Sequence, residues 1–342
     1  MRVDADTARS LVIDLLRQRK ASADNACSQA DLLVQAELRG HPSHGLQRLP
    51  RLLARIDRGL IDPRTTAVGT WLASSVLDMD GMRGLGPAVA LAALERLRAR
   101  IDAAGIAMAT IHNSNHLGML APYVEKIAEW GCVGIAISSS EALVHPHGGT
   151  CALLGTNPIA IAVPTAERPM VLDLATSIVS MGKIHHYAAS GMEIPEGWAR
   201  DVQGRATTNA VDARAGAIAP FGGAKGYGLG IALELLIAAL AGTDLAPDIR
   251  GTLDSEFVCN KGDVLIAIRA RQEAGLFERL SAYLDAVRHS PRAELDQPIT
   301  IPGDRAAARR TEAVKNGFEV DAALWAELNS LSQQFALEGH TS

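Results

Sequence analysis

The sequence predicts a mixed α/β fold, α+β in character, with helices at both chain ends. Apolar residues recur at helical spacing through the first hundred residues and again from 306 to 337. Between them, short apolar runs alternate with helical segments, as strands and helices do in such folds. The 342 residues allow two or three domains. We expect a discontinuous helical domain of residues 1–75 with 305–342, and an α/β part of residues 76–304.

The helices of the first third are predicted from the residues that start and stop them. Ser22 suits an N-cap, and Gly40 ends the helix that follows. Pro50 disfavours helix at Leu49, so residues 43–49 predict one short turn before the next helix. We expect one helix with an apolar face at residues 11–16. Three further helices are expected at 22–39, 50–58 and 87–104.

The middle of the chain changes to short strands separated by helices. The apolar runs and their boundaries predict strands at 106–111, 132–138, 158–163, 170–174 and 264–268. They predict helices at 120–130, 181–189, 227–241 and 275–287. The tail, 306–337, reads as helix with one break at Gly317. No internal repeat marks a domain boundary.

Composition and charge exclude several classes of protein. The net charge of -5 and pI near 6.1 leave no broad basic field, so nucleic acid is not an expected partner. Four cysteines stand without a CxxC pair and predict no disulfide framework. The N-terminus lacks a signal-like apolar run, and the longest apolar stretch, 229–241, contains Glu234. We expect a cytoplasmic protein that does not cross a membrane.

The segment Gly-His-Pro-Ser-His-Gly at 40–45, with Arg48, carries the strongest chemical signal. A histidine such as His44 can give or take a proton near neutral pH, and Ser43 places a hydroxyl beside it. The fork of Arg48 can hold a carboxylate through two parallel hydrogen bonds. If the turn is helical, His44 and Arg48 share a face. A capped helix start with a solvated arginine is the competing interpretation.

Three further polar clusters follow predicted strands. Asn-Ser-Asn-His-Leu-Gly at 113–118 places His116 between a strand and a helix, where it can touch a cofactor or substrate. Gly-Thr-Asn-Pro at 155–158 and Asp-Leu-Ala-Thr-Ser at 173–177 put hydroxyls and an acid at strand ends. A glycine-rich turn with Lys225, at 220–228, opens the helix 227–241 and suits a phosphate. Helix capping and tight turns explain the same residues without a ligand.

Two motifs are absent or incomplete. No GxGxxG opens a βαβ unit, so a dinucleotide would not be held by the usual Rossmann fingerprint. The pairs His145 with His147 and His185 with His186 could ligate a metal, as in a metal-dependent hydrolase. No HExxH or acidic cluster accompanies them, so we expect no metal site.

Taken in order, these blocks resemble the malate/L-lactate dehydrogenase family, which includes ureidoglycolate, sulfolactate and diketogulonate enzymes and cyclic-imine reductases. The resemblance covers nearly the whole chain, and its specificity comes from the order and spacing of the motifs. They are Gly-His-Pro-Ser-His-Gly at 40–45, Arg-Leu-Pro at 48–50, Asn-His-Leu-Gly at 115–118, Gly-Thr-Asn-Pro at 155–158, Leu-Asp-Leu-Ala-Thr-Ser at 172–177, Gly-Lys at 182–183, Asp201 with Gly204, the glycine-rich turn at 222–228 and Pro-Gly-Asp at 302–304.

The resemblance implies a non-Rossmann nicotinamide-binding domain with a large mixed or antiparallel sheet, its cofactor-binding part at about 115–290, and a homodimer. It implies His44 as proton donor or acceptor assisted by Ser43, with His116 as the alternative, and Arg48 and Thr156 as binding residues for a small carboxylate substrate. The cofactor contacts that it implies are His116, Gly118, Ser140, Asp173, Ala175, Thr176, Gly223, Lys225, Gly226, Asp304 and Arg305.

Two departures from the family pattern bear on these roles. Some relatives carry an acid in the segment after Gly182 to orient the catalytic histidine, whereas residues 183–191 contain none here. Ser-Ser-Ser-Glu at 138–141 replaces a frequent Asn-Ser pair, which points to an unusual substrate.

The resemblance predicts hydride transfer between NAD(P)H and a 2-oxo or 2-hydroxy acid. Reduction of a cyclic C=N beside a carboxylate is the alternative, because a proton donor and a carboxylate clamp serve both reactions. For the cofactor, NADP or NAD, we favour NADP, since Arg305, Arg309 and Arg310 could hold a 2′-phosphate. Asp304 argues the other way, because it could accept from the ribose hydroxyls of NAD.

Overall fold

The N-terminal segment is helical, as its apolar spacing predicts. In the computed structural model, which describes residues 1–338, Asp4 caps the first helix and Ser22 the second through side-chain bonds to Thr7 and Asn25. The elements are β1 (Arg2–Val3), α1 (Ala5–Gln18), α2 (Ala23–Leu38), two 3-10 turns (Pro42–His44 and Leu46–Arg48) and α3 (Leu49–Asp57). The four residues 339–342 of the predicted helical domain lie outside the described part.

A β-hairpin interrupts the first hundred residues, where the sequence predicts only helices. Its strands are β2 (Val68–Ala73) and β3 (Val76–Asp80), and β3 alternates buried Leu77 and Met79 with partly exposed neighbours. The helical prediction is wrong here because burial in a sheet, with period 2, determines the structure of this short stretch. The predicted boundary at residue 75 falls within the hairpin, and the division into domains stays a prediction.

The predicted alternation of strands and helices is confirmed in the middle of the chain. Next come α4 (Gly86–Ala104), β4 (Ile106–His112), α5 (Ala121–Ala128), β5 (Cys132–Ser138), β6 (Ile159–Val163), β7 (Met170–Leu174) and α6 (Met181–Ala189). They are followed by β8 (Ala199–Arg200), β9 (Ala206–Thr207), α7 (Ala210–Ala215), β10 (Ala217–Ile218) and α8 (Ala224–Ala241). The chain then forms β11 (Asp263–Arg269), α9 (Leu276–Arg288), α10 (Asp304–Asn316), β12 (Phe318–Glu319) and α11 (Ala322–Glu338).

Seven strands form one mixed sheet in the order β2-β3-β4-β11-β5-β6-β7. Only β3 and β4 pair in parallel, and the other neighbours are antiparallel. β8, β9 and β10 form a separate three-stranded sheet, and β1 pairs with β12. A mixed α/β fold with a large mixed sheet is therefore confirmed.

Two large cores surround the turn at 42–48. One lies against the seven-stranded sheet and includes residues of α4 and α5. The other joins the two ends of the chain, where β1 lies beside β12 and the side chains of α1 to α3 pack with Leu328 of α11. Leu46 and Leu49, on either side of Arg48, are fully buried in this second core. The turn at 42–48 is thus fixed by this core, while Ser43, His44 and Arg48 remain partly exposed.

Helix α8 is longer than predicted and meets the length and hydropathy expected of a membrane span, with one third of it buried. Such a single helix is weak evidence for a membrane, since core helices of soluble proteins have the same composition. Glu234, in its middle, accepts hydrogen bonds from the backbone of Gly155 and Ala246 and from Asn157. This buried carboxylate ties α8 to the protein interior.

Candidate active site

The segment 40–48 forms two successive 3-10 turns, where the sequence predicts one short turn. Gly40 has φ +75°, a left-handed conformation that lets the chain leave α2. Ser43 Oγ lies 3.2 Å from His44 Nδ1. Arg48 Nε donates to the carbonyl of Ser43 at 2.9 Å, so the guanidinium folds back toward the serine. The structure therefore brings the three predicted side chains of this segment together.

His116 lies beside His44, and their ring centroids are 5.7 Å apart. Its Nδ1 accepts a hydrogen bond of 2.9 Å from the backbone N–H of Gly118. A neutral ring with Nδ1 as acceptor carries its proton on Nε2. The preceding residue, Asn115, is buried and donates to the carbonyls of Arg83 and Gly84. The loop after β4, which carries His116, is thus fixed by hydrogen bonds from the Asn115 side chain to backbone carbonyls.

Burial and neighbouring positive charge keep both rings neutral at neutral pH. Burial lowers the pKa of His44 to about 3, with further lowering by Arg48 and His41. Burial, Arg48 and His44 lower the pKa of His116 well below its usual range. Burial and Arg51 lower the pKa of Arg48 to about 10, against the opposing effect of Glu141, so its guanidinium stays charged. The pair therefore offers one base and one neutral donor beside a cation.

Arg48 is held by a second contact that no sequence motif predicted. Its Nη1 donates to the carbonyl of Thr252 at 3.2 Å. Glu141 accepts from the backbone N–H groups of Thr252 and Leu253, at 2.7 and 2.9 Å, and from the Thr252 hydroxyl. Glu141, one of the residues that depart from the family pattern, therefore positions the loop that orients Arg48.

Residues 183–191, which include most of α6, contain no acid that could orient His44. α6 instead approaches the serine, because a Cβ at Gly182 would stand 2.7 Å from the Ser43 Cβ. A different carboxyl lies under the turn: Glu37 of α2 is buried and accepts from the Leu46 N–H at 2.6 Å. Burial raises the pKa of Glu37 to about 7.

Two adjoining cavities lie at this site, and one of them opens onto these side chains. The inner one, of about 1090 Å³, is bounded by Ser43, His44, Arg48 and His116. The outer one, of about 990 Å³, is bounded by α5, β7 and α10. Both cavities share the walls formed by His41, Met119, Asp173 and Leu174. Together they exceed the space that a three- or four-carbon acid needs, so a second and larger molecule also fits.

The predicted cofactor residues divide into two groups. His116, Gly118, Ser140, Asp173 and Ala175 line the inner cavity with the predicted substrate residue Thr156, and Arg305 lines the outer one. The cavity walls do not include Thr176, Asp304, Gly223, Lys225 or Gly226.

Contacts within the chain engage two members of the second group. Thr176 donates to the carbonyl of Thr156 at 2.9 Å, and Asp304 pairs with Arg288 and Arg168. Lys225 is exposed at the start of α8. The cofactor contacts of both groups stay predictions.

Comparison with known proteins decides the family. The sequence profile described as malate/L-lactate dehydrogenase matches residues 3–329. The chain belongs to the malate/L-lactate dehydrogenase family. The predicted resemblance is thereby confirmed, and this family member is an oxidoreductase of the dehydrogenase and reductase type.

Three relatives of this malate/L-lactate dehydrogenase family member illustrate the match. A dehydrogenase from Sinorhizobium meliloti has a crystal structure that superposes with a TM-score of 0.94, at 55% identity, over 97% of this chain and 98% of that one. The L-sulfolactate dehydrogenase of Methanocaldococcus jannaschii is 33% identical over 97% of this chain and 96% of its own. A pyrroline- and piperideine-2-carboxylate reductase of Pseudomonas putida is 37% identical over 71% of this chain and 72% of its own.

The histidine pairs do not gather into a metal centre in this family member. Among the described residues, no group of three or more His, Cys, Asp or Glu side chains could hold a metal ion. His185 and His186 lie on α6 and line the inner cavity.

Three residues that support the site through hydrogen bonds were not predicted from the sequence. They are Glu37, Asn115 and Thr252. Asn115 stands next to His116 in the quoted motif, so the motif itself was a usable signal. Glu37 precedes Gly40 on the predicted helix, and its acidic side chain at a buried position was the other usable signal. Thr252 carried no local signal, because its carbonyl matters only through a long-range contact with Arg48.

Proposed function

We propose that this enzyme transfers a hydride between a nicotinamide cofactor and a small 2-oxo or 2-hydroxy acid of the malate, lactate or sulfolactate type. One observation carries the proposal: two neutral histidines 5.7 Å apart stand beside a charged arginine in a cavity that continues into a second one. Such a reaction needs a proton-transfer group, a carboxylate clamp and room for a cofactor next to the substrate.

In this proposal His44 is the acid/base group and His116 the neutral donor. With Ser43 Oγ accepting from Nδ1–H of His44, its Nε2 keeps a lone pair for the hydroxyl proton of the 2-hydroxy acid. His116, which carries its proton on Nε2, donates to the same substrate oxygen. Arg48 keeps Nη2 for the carboxylate, since Nε and Nη1 contact backbone carbonyls. The bound nicotinamide supplies or accepts the hydride.

The walls of the two cavities fit a dinucleotide. Ser140 and Thr156 offer hydroxyl groups in the inner cavity, 3.3 Å from each other. Arg305 and Arg309 line the outer cavity, and neither has an ion-pair partner among the described side chains. Two unpaired guanidinium groups suit phosphate, which supports NADP as the cofactor.

Asp304 gives little support to NAD. Its carboxylate accepts from Arg288, from Arg168 and from the backbone N–H of Ile301, so its oxygens are already engaged. An acid that serves as a ribose acceptor needs a free oxygen in the cofactor cavity. The preference for NADP therefore rests on the arginines of α10.

A cofactor and substrate screen tests the proposed function. The purified enzyme is assayed for oxidation of NADH and of NADPH with pyruvate, oxaloacetate, sulfopyruvate and the cyclic imines piperideine- and pyrroline-2-carboxylate. We expect turnover with at least one 2-oxo acid. No oxidation of either nicotinamide with any 2-oxo acid would remove the proposal.

The cyclic imines are in the screen because of one specific observation, the 37% identity to the Pseudomonas putida reductase. Reduction of a C=N bond beside a carboxylate uses the same arginine and the same proton donor. Turnover with a cyclic imine and with no 2-oxo acid makes this second function the correct one.

Arg305→Ala tests the cofactor preference. We expect kcat/KM for NADPH to fall about 10- to 100-fold, because an arginine contact to a charged group contributes roughly 1.5–3 kcal/mol. The same variant assayed with NADH is the control, and its kcat/KM stays within about 3-fold on the same scale. A wild-type preference for NADH that the substitution leaves unchanged would reject NADP.

We also propose that the enzyme is cytoplasmic and forms a homodimer. The outer face of α8 supports the dimer. Ile231, Leu235, Leu236 and Leu240 are between 37% and 55% exposed, a large apolar share for a surface helix. A contiguous apolar face of this kind is typical of protein interfaces. A second copy of the chain is the partner that we propose for it.

A further inference from the structure

Three arginines share one face of the segment that enters α3. Arg48, Arg51 and Arg55 are spaced by three and four residues, the spacing that places side chains one above another on a helix. All three line a small recess of about 40 Å³ that lies next to the inner cavity. His44, His116 and Thr252 line the same recess. The arginine face is therefore part of the wall around the reacting groups.

Two of the three arginines have contacts that account for them. Arg55 is buried, donates to the carbonyls of Asp254 and Phe257 through Nη1, and donates to Asn115 Oδ1 through Nη2. Its role is to hold the loop after Gly251. Arg48 donates from Nε and Nη1 to backbone carbonyls, which leaves Nη2 available to a ligand. Both guanidinium groups are positioned by protein contacts.

Arg51 differs from both neighbours. Among the residues that the structure describes, it has no hydrogen bond and no ion pair, although it is only partly exposed. It lines the recess and the inner cavity at the same time. An arginine that is partly withdrawn from water and left without a counter-charge is costly unless an anion accompanies it.

The described residues of the recess that Arg51 lines supply no counter-charge for it, although acidic side chains stand elsewhere in the wall of the inner cavity. The wall of the recess carries three arginines and no acidic side chain among the described residues. Glu141, the acid that opposes the charge of Arg48, is engaged with Thr252 and Leu253. Burial, Arg214, Arg51 and Arg48 lower the pKa of His185 in the inner cavity, so the potential around Arg51 disfavours a second cation. The same potential favours an anionic group.

We propose that Arg51 binds a second anionic group of the substrate, so that the preferred substrates are dianionic 2-oxo or 2-hydroxy acids. The inference rests on the proposed function: Arg48 takes the carboxylate beside the reacting carbon, and Arg51 takes a carboxylate or sulfonate at the other end. Side chains three residues apart on a helix begin about 5–6 Å from each other, a separation that suits the two ends of a four-atom acid.

The test compares dianions with a monoanion. We expect wild-type kcat/KM for oxaloacetate or sulfopyruvate to exceed that for pyruvate by at least about tenfold, and Arg51→Gln to lower the dianion value about 10- to 100-fold. Pyruvate, which has no second anionic group, should change less than about 3-fold on that scale. Arg51→Lys keeps the charge and should recover part of the loss.

Arg271→Gln is the matched control, since it removes one positive charge from an exposed site after β11 and should leave both substrates unchanged. An equal loss for pyruvate and the dianions in Arg51→Gln, or a wild-type preference for pyruvate, overturns the role of Arg51. If the enzyme turns over no 2-oxo acid at all, the proposed function fails instead, so the two failures are distinguishable.

Discussion

At the scale of single residues, the proton chemistry of His44 follows from its surroundings. A histidine in water titrates near 6.5, whereas burial beside Arg48 lowers the pKa of His44 to about 3. In the proposed function, this neutral ring of the free enzyme is therefore ready to act as the base in the oxidation of a 2-hydroxy acid. For reduction it must first take up a proton, which a bound anionic substrate favours.

The pH dependence of kcat/KM tests this assignment. The oxidation rate requires neutral His44, so it should be unaffected by this group from about pH 6 to 8. The reduction rate requires the protonated ring and should fall about tenfold per pH unit over the same range, since the protonated fraction does so above the pKa. A fall in kcat/KM for oxidation below about pH 6.5 would instead indicate a histidine with an ordinary pKa.

Replacing the histidines separates their roles. We expect His44→Ala to lower kcat about 10²- to 10⁴-fold, the usual contribution of a general acid or base, with the fold intact by circular dichroism. His116→Ala removes a donor and should cost less. Near-normal turnover in His44→Ala would transfer the acid/base role to His116.

At the scale of elements, the turn at 42–48 depends on the helix that packs beneath it. Glu37 of α2 accepts from the backbone N–H of Leu46, and a Cβ at Gly45 would stand within 2.2 Å of its Oε1. Gly45 is thus required by the close approach of this carboxyl. The buried acid fixes the turn but carries an electrostatic cost once it ionises.

Stability should reveal that cost. The pKa of Glu37 is about 7 in the folded chain and 4.5 in the unfolded one, so the folded state binds the extra proton between these values. The free energy of unfolding should therefore fall by roughly 3 kcal/mol as the pH rises from about 4.5 through 7. Glu37→Gln should remove this loss and raise Tm at pH 8.

The control for that measurement is Glu95→Gln on the exposed surface of α4, which should leave the pH dependence as it is. Thermal unfolding at several pH values compares the two variants with the wild type. A Glu37→Gln protein whose Tm keeps the wild-type pH dependence would exclude Glu37 as its source.

The strands differ in how well their own residues predict them. The strands predicted at 132–138 and 170–174 agree with β5 and β7, because each is a short apolar run with clear boundaries. The hairpin at 68–80 was missed, since Asp78 and Asp80 interrupt its apolar pattern and its pairing with β4 is set at long range. β8, β9 and β10 were missed because two-residue strands have no periodicity.

The site shows the same division. Compact motifs predict that Ser43, His44, Arg48 and His116 belong to one site, and the structure brings them together. Their roles in catalysis stay predictions. The clamp of Glu141 on Thr252 joins positions more than a hundred residues apart through backbone groups. Every residue has backbone groups, so the residue type at position 252 does not predict this contact.

At the scale of the whole molecule, the exposed face of α8 predicts the assembly. We expect the wild type to sediment as a dimer and Leu235→Glu to sediment as a monomer, because a charge placed in an apolar interface opposes association. Leu295→Glu, on an exposed segment elsewhere, should remain dimeric. A monomeric wild type at micromolar concentration would exclude the proposed dimer.

The pairing of β1 with β12 has a consequence for how the enzyme folds during its synthesis on the ribosome. The core that supports Leu46 and Leu49 includes Phe318 and Leu328, which are synthesised some 270 residues after the turn itself. Chains generally fold domain by domain as they emerge. The sheet can therefore form while translation proceeds, but the histidine and arginine of the turn acquire their support only after the last helix has left the exit tunnel. A nascent chain stalled before α11 should contain the folded seven-stranded sheet but have no catalytic activity.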